Sequence, residues 1–432
     1  MRKMKDSGIE WIGEIPEGWE IVPVRSCFDE VRTKNTDGQE QNALQFKSGN
    51  IISKANFNAN IDDYVADTIT NYTVVLPDTV MINGLNLNYD FKSLRVALVK
   101  EKGVITPAYL AIFPDRKKIF PQYATYLFKG YETKMAFHNM GAGIRKTLGY
   151  KEFKNQPLLL PSKEEQNKIS AYLDSKCSHI DIMLSKIRSS IEEYKKLKQA
   201  VITQAVTKGV RGEREMKDSG VEWIGEIPAE WSITKIKSGV TKIGSGKTPS
   251  GGAETYTDSG VIFLRSQNVY DCTLNLESPT YISPEVDAIM KSTRVLPDDV
   301  LLNITGGSIG RCTIVPKTLG LANVNQHVCI IRTNPLIFLP KYVQYFWVSA
   351  LGHLAIDLYQ TGGNREGMSA DAIRNTPIPY APLKEQKEIA DHLDAKCAEI
   401  DKLIAKKEQL VKELESYKKS LIYEVVTGKR EV

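Results

Sequence analysis

The chain has 432 residues, of which 42% are hydrophobic and 25% charged, and a net charge of +5. At about 150 residues per domain this length predicts about three domains, and the composition excludes disordered, collagen-like and disulfide-scaffold proteins. Six cysteines without a CxxC pair indicate no disulfide framework and no structural zinc site. The sequence lacks an apolar run of membrane-span length and a secretory signal, so we expect a cytoplasmic protein without a membrane partner.

Two copies of one unit make up the chain. The segment MKDSGIEWIGEIP at 4–16 returns as MKDSGVEWIGEIP at 216–228, and KEEQNKISAYLDSKCSHID at 163–181 is answered by LKEQKEIADHLDAKCAEID at 383–401. The residues between these two segments keep only scattered matches. We call the repeated segments the frame and the regions between them the interiors. A shared frame with different interiors is expected if the two copies do the same job on two different targets.

Each EQ-containing frame segment opens a long heptad-like stripe. After Pro161, and again after Pro382, apolar residues recur at spacings of three, four or seven for about 40 residues. This pattern predicts two long helices, with glycine-containing ends at 207–209 and 427–428. Because the two copies are equivalent, we expect the stripes to pair as an antiparallel, pseudo-twofold coiled coil.

The interiors have the alternation and composition of mixed α/β domains. We predict the following segments as strands: 73–83, 94–100, 105–113, 261–269, 300–306 and 327–332. Segments 121–138 and 340–358 have the length and apolar content of helices. The predicted fold class is α/β, with two mixed α/β domains joined by two long antiparallel central helices. The predicted boundaries are 1–160 for the first domain, 161–209 for the first helix, 210–381 for the second domain and 382–432 for the second helix.

Motif spacing gives no support to an enzyme. GSGKTPS at 244–250 has Thr241 where a P-loop needs its first glycine, and GGSIG at 306–310 is better explained as a tight turn. A metal-dependent nuclease site through Asp78, Asp90 and Lys92 is disfavoured because the second copy does not repeat it. Asp78 then belongs to a Pro-Asp turn.

The interiors carry donor-rich loops instead. FKSGN at 46–50 and FLRSQN at 263–268 place basic, hydroxyl and amide side chains after a strand. Arginine can bridge guanine and asparagine or glutamine can bridge adenine, although solvated loop ends have the same composition. GAGIRKTLGY at 141–150 and TGGNREGMSA at 361–370 occupy the same place in each copy and put a basic residue after glycines, which allows a close approach to a partner. A helix-entry turn is the competing explanation. The candidate contacts are Lys47, Ser48, Asn50, Arg145, Lys146, Arg265, Ser266, Gln267, Asn268 and Arg365.

The duplicated set of motifs resembles the specificity subunit of type I restriction-modification systems. The resemblance rests on SGIEWIGEIPEGWE and SGVEWIGEIPAEWS, on GSGKTPS and LRSQNV in the second half, and on the two EQ-containing helix starts. It covers essentially the whole chain in its two-copy order. The first interior departs from the family pattern, because FKSGN and NGLNLN stand where the second copy has LRSQN and TGGSIG. Through GSGKTPS the resemblance adds Lys247 and Thr248 to the candidate DNA contacts.

The resemblance implies two target-recognition domains, each bound to one half of a bipartite, asymmetric double-stranded DNA site and held apart by the helices. It also implies a non-catalytic chain without its own cofactor, in a complex that defends against foreign DNA. Two modification subunits and the restriction subunits would carry S-adenosylmethionine, ATP and Mg. Because the frame is repeated, we expect it to dock the partners near Glu165, Gln166, Glu385 and Gln386, with helix capping as the alternative.

Two other functions stay open at this stage. A two-headed protein adaptor could use the same frame to hold two proteins, and it would show no salt-dependent DNA affinity. A cryptic nuclease or methyltransferase would show turnover by the purified chain alone.

Overall fold

The structure is a computed structural model that describes residues 2–54, 69–92, 94–143, 146–360 and 367–432. The chain divides into a first unit, Met1–Arg188 with Gln409–Val432, and a second unit, Ser189–Glu408. Each long helix therefore contributes to both units. The predicted four-segment domain division cuts the chain at other places and stays a prediction.

The first unit is built on antiparallel strands. Its strands are β1 (Met4–Asp6), β2 (Glu14–Pro16), β3 (Glu20–Pro23), β4 (Phe28–Glu30), β5 (Leu44–Lys47), β6 (Asn50–Ser53), β7 (Thr73–Val75), β8 (Val80–Ile82), β9 (Val96–Leu98), β10 (Gly103–Ile105), β11 (Leu110–Pro114) and β12 (Pro157–Leu160). Its helices are α1 (Pro121–Thr133), α2 (Ala136–Met140), α3 (Tyr150–Phe153) and the part of α4 (Lys163–Lys208) up to Arg188, with a 3-10 turn at Val24–Ser26. The largest sheet has the order β4-β11-β8-β9, and β10-β7, β5-β6, β1-β2 and β3-β12 form pairs.

Alternation along β8 fills two apolar clusters. Val80 and Ile82 belong to the cluster that contains Leu127 of α1, whereas Met81 between them joins a separate cluster with Val75. Successive strand side chains point to opposite faces, so a strand covered on both faces is apolar throughout. This arrangement explains why β8 is completely buried.

The second unit repeats this plan with an additional sheet. Its strands are β13 (Met216–Asp218), β14 (Glu226–Pro228), β15 (Ser232–Lys235), β16 (Val240–Ser245), β17 (Tyr256–Thr257), β18 (Val261–Leu264), β19 (Val269–Tyr270), β20 (Thr273–Leu274), β21 (Thr280–Ile282), β22 (Val300–Asn303), β23 (Cys312–Ile314), β24 (Ala322–Val324), β25 (Val328–Thr333) and β26 (Pro377–Tyr380). Its helices are α5 (Pro284–Ile289), α6 (Pro340–Val348), α7 (Ala350–Tyr359), α8 (Ala370–Asn375) and α9 (Leu383–Val426) up to Glu408, and the last residues of α4 also belong here. One sheet has the order β16-β25-β22-β23 and another β17-β21-β18-β24.

The predicted long helices begin and end close to the predicted positions. α4 starts two residues after Pro161 and α9 directly after Pro382, and Gly209 and Gly428 follow the helix ends with φ of 74° and 71°. Glycine adopts this left-handed conformation without a steric penalty, so it stops a helix.

The helix segments run antiparallel within each unit. In the first unit Lys418 lies 2.6 Å from Asp181, and Arg188, further along α4, pairs with Glu415, earlier in α9. In the second unit Lys198 pairs with Asp401 at 2.7 Å. The predicted mixed α/β architecture with two long helices is confirmed.

Several predicted strands are shorter than expected. Segment 73–83 is split into β7 and β8 by a turn at Asp78, whose φ is 78°, and the equivalent Asp298 has a φ of 68°. The Pro-Asp segments therefore form turns, as predicted. Segment 105–113 is divided in the same way between β10 and β11. Segment 340–358 is two helices because the side chain of Ser349 accepts a hydrogen bond from the Gly352 amide and starts a new one.

Among the described residues the structure contains no helix that is long and apolar enough to cross a membrane.

The end of α9 fills the core of the first unit, which gives a test of the fold. Leu421 is 1% exposed within this core, whereas Leu410, on the same helix, is 42% exposed. We expect Leu421→Ala to lower the free energy of unfolding by about 2–5 kcal/mol, because it leaves a cavity. Leu410→Ala should change it by less than about 0.5 kcal/mol. Urea unfolding of both variants measures this, and equal effects would contradict the assigned packing.

Candidate nucleic-acid interface and its supporting frame

A tryptophan–carboxylate hydrogen bond joins the two frame segments in each unit. The indole Nε1 of Trp19 donates to Glu165 Oε2 at 2.9 Å, and Trp231 Nε1 donates to Glu385 Oε2 at the same distance. Both tryptophans are buried. The two most faithfully copied parts of the sequence are therefore in direct contact.

An arginine completes each of these contacts. Arg2 lies over the Trp19 ring at 5.4 Å and forms an ion pair with Glu165. Arg214 lies over the Trp231 ring at 5.1 Å, and its guanidinium is 2.6 Å from Glu385. Glu385 is fully buried whereas Glu165 is partly exposed. A buried carboxylate needs such a partner because removal from water disfavours its charge.

In each unit the neighbouring glutamine connects the start of the long helix to the start of an interior helix. Gln166 accepts from the Phe120 amide at 2.8 Å and donates to the Pro161 carbonyl at 3.0 Å. Gln386 accepts from the Leu339 amide at 2.9 Å and donates to the Ala381 carbonyl at 2.8 Å. Phe120 and Leu339 precede α1 and α6, so each glutamine fixes an interior helix against a long helix.

The predicted partner residues thus lie within the frame of the fold. Gln166, Glu385 and Gln386 are buried. The two glutamines form hydrogen bonds within their own units, and Glu385 forms an ion pair with Arg214 of its own unit. Docking at these four positions stays a prediction.

Tyrosines on the interior helices add a third repeated link. Tyr126 donates to Asp174 at 2.7 Å, and Tyr345 donates to Asp394 at 2.6 Å. Burial, followed by these hydrogen bonds, raises the pKa of both phenols well above the usual value for tyrosine. Both tyrosines therefore stay protonated donors at physiological pH.

The predicted contacts of the first unit lie at the tip of the β5–β6 hairpin. Lys47, Ser48 and Asn50 are exposed there, and Asn50 Nδ2 donates to the Ser48 carbonyl at 3.2 Å. Lys146 is also exposed, with a φ of 36°. Arg145 lies outside the described residues.

A loop that the sequence marked only as a departure from the family pattern joins these two places. Residues 83–95 connect β8 and β9, and we call them the β8–β9 loop. Gly49 packs so closely on Leu94 that an added Cβ would lie 2.9 Å from the Leu94 Cβ. At the other side the Leu87 amide donates to the Lys146 carbonyl at 3.1 Å. The hairpin tip, the β8–β9 loop and Lys146 therefore form one surface.

In the second unit the predicted contacts divide between exposed and buried residues. Gln267 is exposed, and the half-buried Arg265 has its guanidinium 5.5 Å from the centre of the Tyr256 ring. Asn268 is buried, where it accepts from the Arg265 amide at 2.9 Å and donates to the Asn275 carbonyl at 2.9 Å. The Asn268 side chain thus braces the turn, while the carbonyl of the half-buried Ser266 accepts a hydrogen bond from Asn303 at 2.9 Å.

Lys247 and Thr248 are exposed on the segment after β16. Glycine is required before them, because a Cβ on Gly246 would lie 2.0 Å from the Val324 carbonyl. The Thr248 hydroxyl donates to the Gln326 side chain. The GSGKTPS segment is thereby placed against the loop before β25.

Gln326 and His327, which lie next to the GSGKTPS segment and Thr305, were not among the predicted contacts. The Thr305 hydroxyl lies 2.6 Å from His327 Nδ1, and the Met368 amide donates to the Ile304 carbonyl at 2.9 Å. Their position directly before a buried strand is the signal that could have identified them. Arg365 lies outside the described residues.

The alternatives to binding have structural explanations. Gly306–Ser308 is a 3-10 turn, as predicted for GGSIG, and Asp78 pairs with Arg116. Within the described ranges no group of three or more potential metal ligands comes together.

Comparison with known proteins finds a matching family model and several relatives with the same description. Residues 228–413 match the family model of the type I restriction modification DNA specificity domain. A relative from Methanocaldococcus jannaschii, the putative type I restriction enzyme MjaX specificity subunit, is 25% identical over 97% of this chain and 95% of its own length. The type I restriction enzyme EcoBI specificity subunit from Escherichia coli is 24% identical over 60% of this chain and 55% of its own length.

Solved structures support the same architecture. One, described as the basis of complex assembly and conformational transition of the type I R-M system, has a TM-score of 0.71 and 15% identity, and covers 96% of this chain and 99% of its own. The HsdS subunit from Thermoanaerobacter tengcongensis has a TM-score of 0.50 and 15% identity over 98% of this chain and all of its own.

Two equivalent mixed α/β units on a repeated frame with long helices are the architecture that this chain shares with these solved structures. The family-model match and the full-length similarity to a named specificity subunit support the resemblance to type I restriction-modification specificity subunits found in the sequence. Such a subunit is the non-catalytic member, and catalytic activities lie in other subunits.

The buried carboxylate of the second frame gives a test. Glu385→Ala leaves Arg214 and Trp231 without their acceptor, and we expect a loss of about 3–5 kcal/mol in the free energy of unfolding. The same change at the partly exposed neighbour Glu388 should cost much less, because its ion pair with Arg211 lies at the surface. Chemical unfolding of the chain without partners measures both. A stable Glu385→Ala variant that only fails to bind partners would instead favour a docking role.

Proposed function

We propose that each unit of this specificity subunit binds one half of a bipartite, asymmetric double-stranded DNA site. The observation that carries the proposal is that the two units share one frame but present different loops from equivalent strands. Identical support with different loop chemistry is what binding of two unlike half-sites requires. A two-headed protein adaptor remains the alternative, and its binding to targets would not carry the steep salt dependence of phosphate contacts.

The exposed residues of these loops suit the two tasks of a DNA interface. Lysines neutralise phosphates, while arginine, amide and hydroxyl groups can pair with base edges. We propose DNA contacts for Lys47, Ser48, Asn50, Lys146, Lys247, Thr248, Arg265, Ser266 and Gln267, together with the predicted Arg145 and Arg365. We assign Asn268 the role of bracing the Arg265 turn.

The remaining functions of the complex would belong to partners. We propose that two modification subunits dock on surfaces supported by the frame around Glu165, Gln166, Glu385 and Gln386, and that restriction subunits join this assembly in the cytoplasm. S-adenosylmethionine, ATP and Mg would be bound by those partners. The solved structure described as type I R-M complex assembly supports partner subunits of this kind.

The decisive experiment is to sequence methylated sites in a host that carries this chain with its modification subunit. We expect one bipartite motif with two fixed half-sites and a fixed gap. Methylation that does not depend on this chain would refute the proposal. Salt-independent binding of a protein target, without a methylated motif, would support the adaptor.

Substitutions should affect one half-site at a time. We expect Lys47→Ala to alter binding only at the half-site of the first unit, and Arg265→Ala only at the half-site of the second. If Arg265 contacts a base, the variant should lose about 1–3 kcal/mol of discrimination at one position. If Lys47 contacts a phosphate, the salt slope should fall by about one. Competition binding with one half-site scrambled at a time distinguishes these outcomes, and equal loss at both half-sites would contradict the assignment.

The long helices are proposed to set the gap between the half-sites. Four residues inserted into both α4 and α9, at 188/189 and 408/409 where the two units divide, add about 6 Å and keep each apolar stripe nearly in register. DNA advances 3.4 Å per base pair, so the preferred gap should lengthen by about two base pairs. A seven-residue insertion should add about three. Methylation mapping that returns the original gap would exclude this role.

A further inference from the structure

The β8–β9 loop has an equivalent in the second unit that is built differently. In the first unit the Asn83 amide donates to the Arg95 carbonyl at 2.8 Å, and in the second the Asn303 amide donates to the Arg311 carbonyl at 2.9 Å. The same bond therefore closes both loops at the same strand pair. The first loop is four residues longer, and it alone contains aromatic residues, Tyr89 and Phe91.

Hydrogen bonds from a buried arginine hold described residues of the longer loop from beneath. The side chain of Arg95 is 1% exposed, and its guanidinium donates to the carbonyls of Asn83 and Leu85, both at 2.9 Å, and to that of Asp90. Glu132 on α1 accepts a hydrogen bond from the Arg95 amide. A buried charge is thus used to fix the path of a surface loop.

Two aromatic residues lie at the outer edge of this loop. Tyr89 is 74% exposed and Phe91 is 56% exposed. The Phe91 ring stacks on His138 with centroids 5.1 Å apart and an interplanar angle of 12°. His138 is itself fixed, because its Nε2 lies 3.1 Å from the Asp90 carbonyl. One face of Phe91 is therefore supported while the rest of the ring meets solvent.

The surroundings of these rings are basic. Lys92 is exposed on the same loop, and Lys47 and Lys146 are exposed on the two neighbouring loops that contact it. Exposed aromatic rings that are surrounded by lysines suit a ligand that has many negative charges and also flat apolar surfaces. Nucleic acid has both properties, since bases stack on aromatic rings and lysines follow the phosphates.

We propose that Phe91 and Tyr89 enter the base stack of duplex DNA at one step of the half-site bound by the first unit. This inference rests on the proposed function and deepens it. Apolar side chains that wedge between base pairs locally unstack the duplex, and pyrimidine–purine steps yield most easily. The step contacted by these rings should therefore be a flexible one, and its sequence would be selected partly through its deformability.

The test uses the chain assembled with its modification subunit and the bipartite duplex found by methylation mapping. 2-Aminopurine, whose fluorescence rises on unstacking, replaces one base at a time in each half-site. We expect a rise at one step of the first half-site only. Phe91→Ala and Tyr89→Ala should remove the rise and weaken binding about tenfold each. Phe91→Tyr should restore both, and Leu336→Ala, an equally apolar exposed site that is 78% exposed in the second unit, should change neither.

Thermal unfolding of each variant verifies that the loop change leaves the fold intact. Retained affinity and fluorescence in the folded double variant would overturn the inference and leave the proposed function standing. A uniform loss of affinity with a lower salt slope and no unstacking signal would also overturn it, because it indicates a backbone contact. A wild-type complex without any sequence preference would overturn both.

Discussion

The hydrogen bond from a tryptophan of the opening motif to the glutamate that begins each long helix is the constraint on which both units depend. It brings together Trp231 and Glu385, which are 154 residues apart, and Trp19 and Glu165, which are 146 apart. The residues between the two partners must therefore fold into a domain whose first and last segments are in contact. Because each bond is completed by an arginine that stands two residues before the opening motif, a change in one partner leaves the others unsatisfied. This coupling explains why the two frame segments are nearly identical while the interiors differ.

The interiors can vary because stability and binding use different parts of them. Strands such as β8 and β22 are buried on both faces. Their side chains are apolar except for Asn303, whose Nδ2 donates to the Ser266 carbonyl and the Ser308 hydroxyl. The loops that leave these strands place few side chains in a core, such as Leu87 in the first unit and Ile304 in the second, so the rest of each loop is free to change in length and chemistry. In the first unit this loop is aromatic and is fixed by Arg95. In the second unit the equivalent loop is a short glycine-containing turn.

Sequence patterns predicted the features that repeat and missed those that depend on distant packing. The duplication and the heptad stripes were sufficient for the two helices, and Pro161 and Gly209 marked the limits of the first. The glutamates and glutamines of the EQ segments looked like surface groups because their partners lie far away in the sequence. The β8–β9 loop was noticed only as a departure from the family pattern. Its importance became visible through contacts with Gly49 and Lys146, which no local pattern encodes.

The cores also show how each copy depends on the other. Ile202 and Val206, at the end of the helix that begins in the first copy, are buried in the core of the second unit. Leu421 and Val425, at the end of the second copy, are buried in the core of the first. Neither copy therefore contains all the apolar residues of its own unit. The core of each unit is completed by the end of a long helix that begins in the other unit. Folding of one unit therefore constrains a helix that the other unit requires.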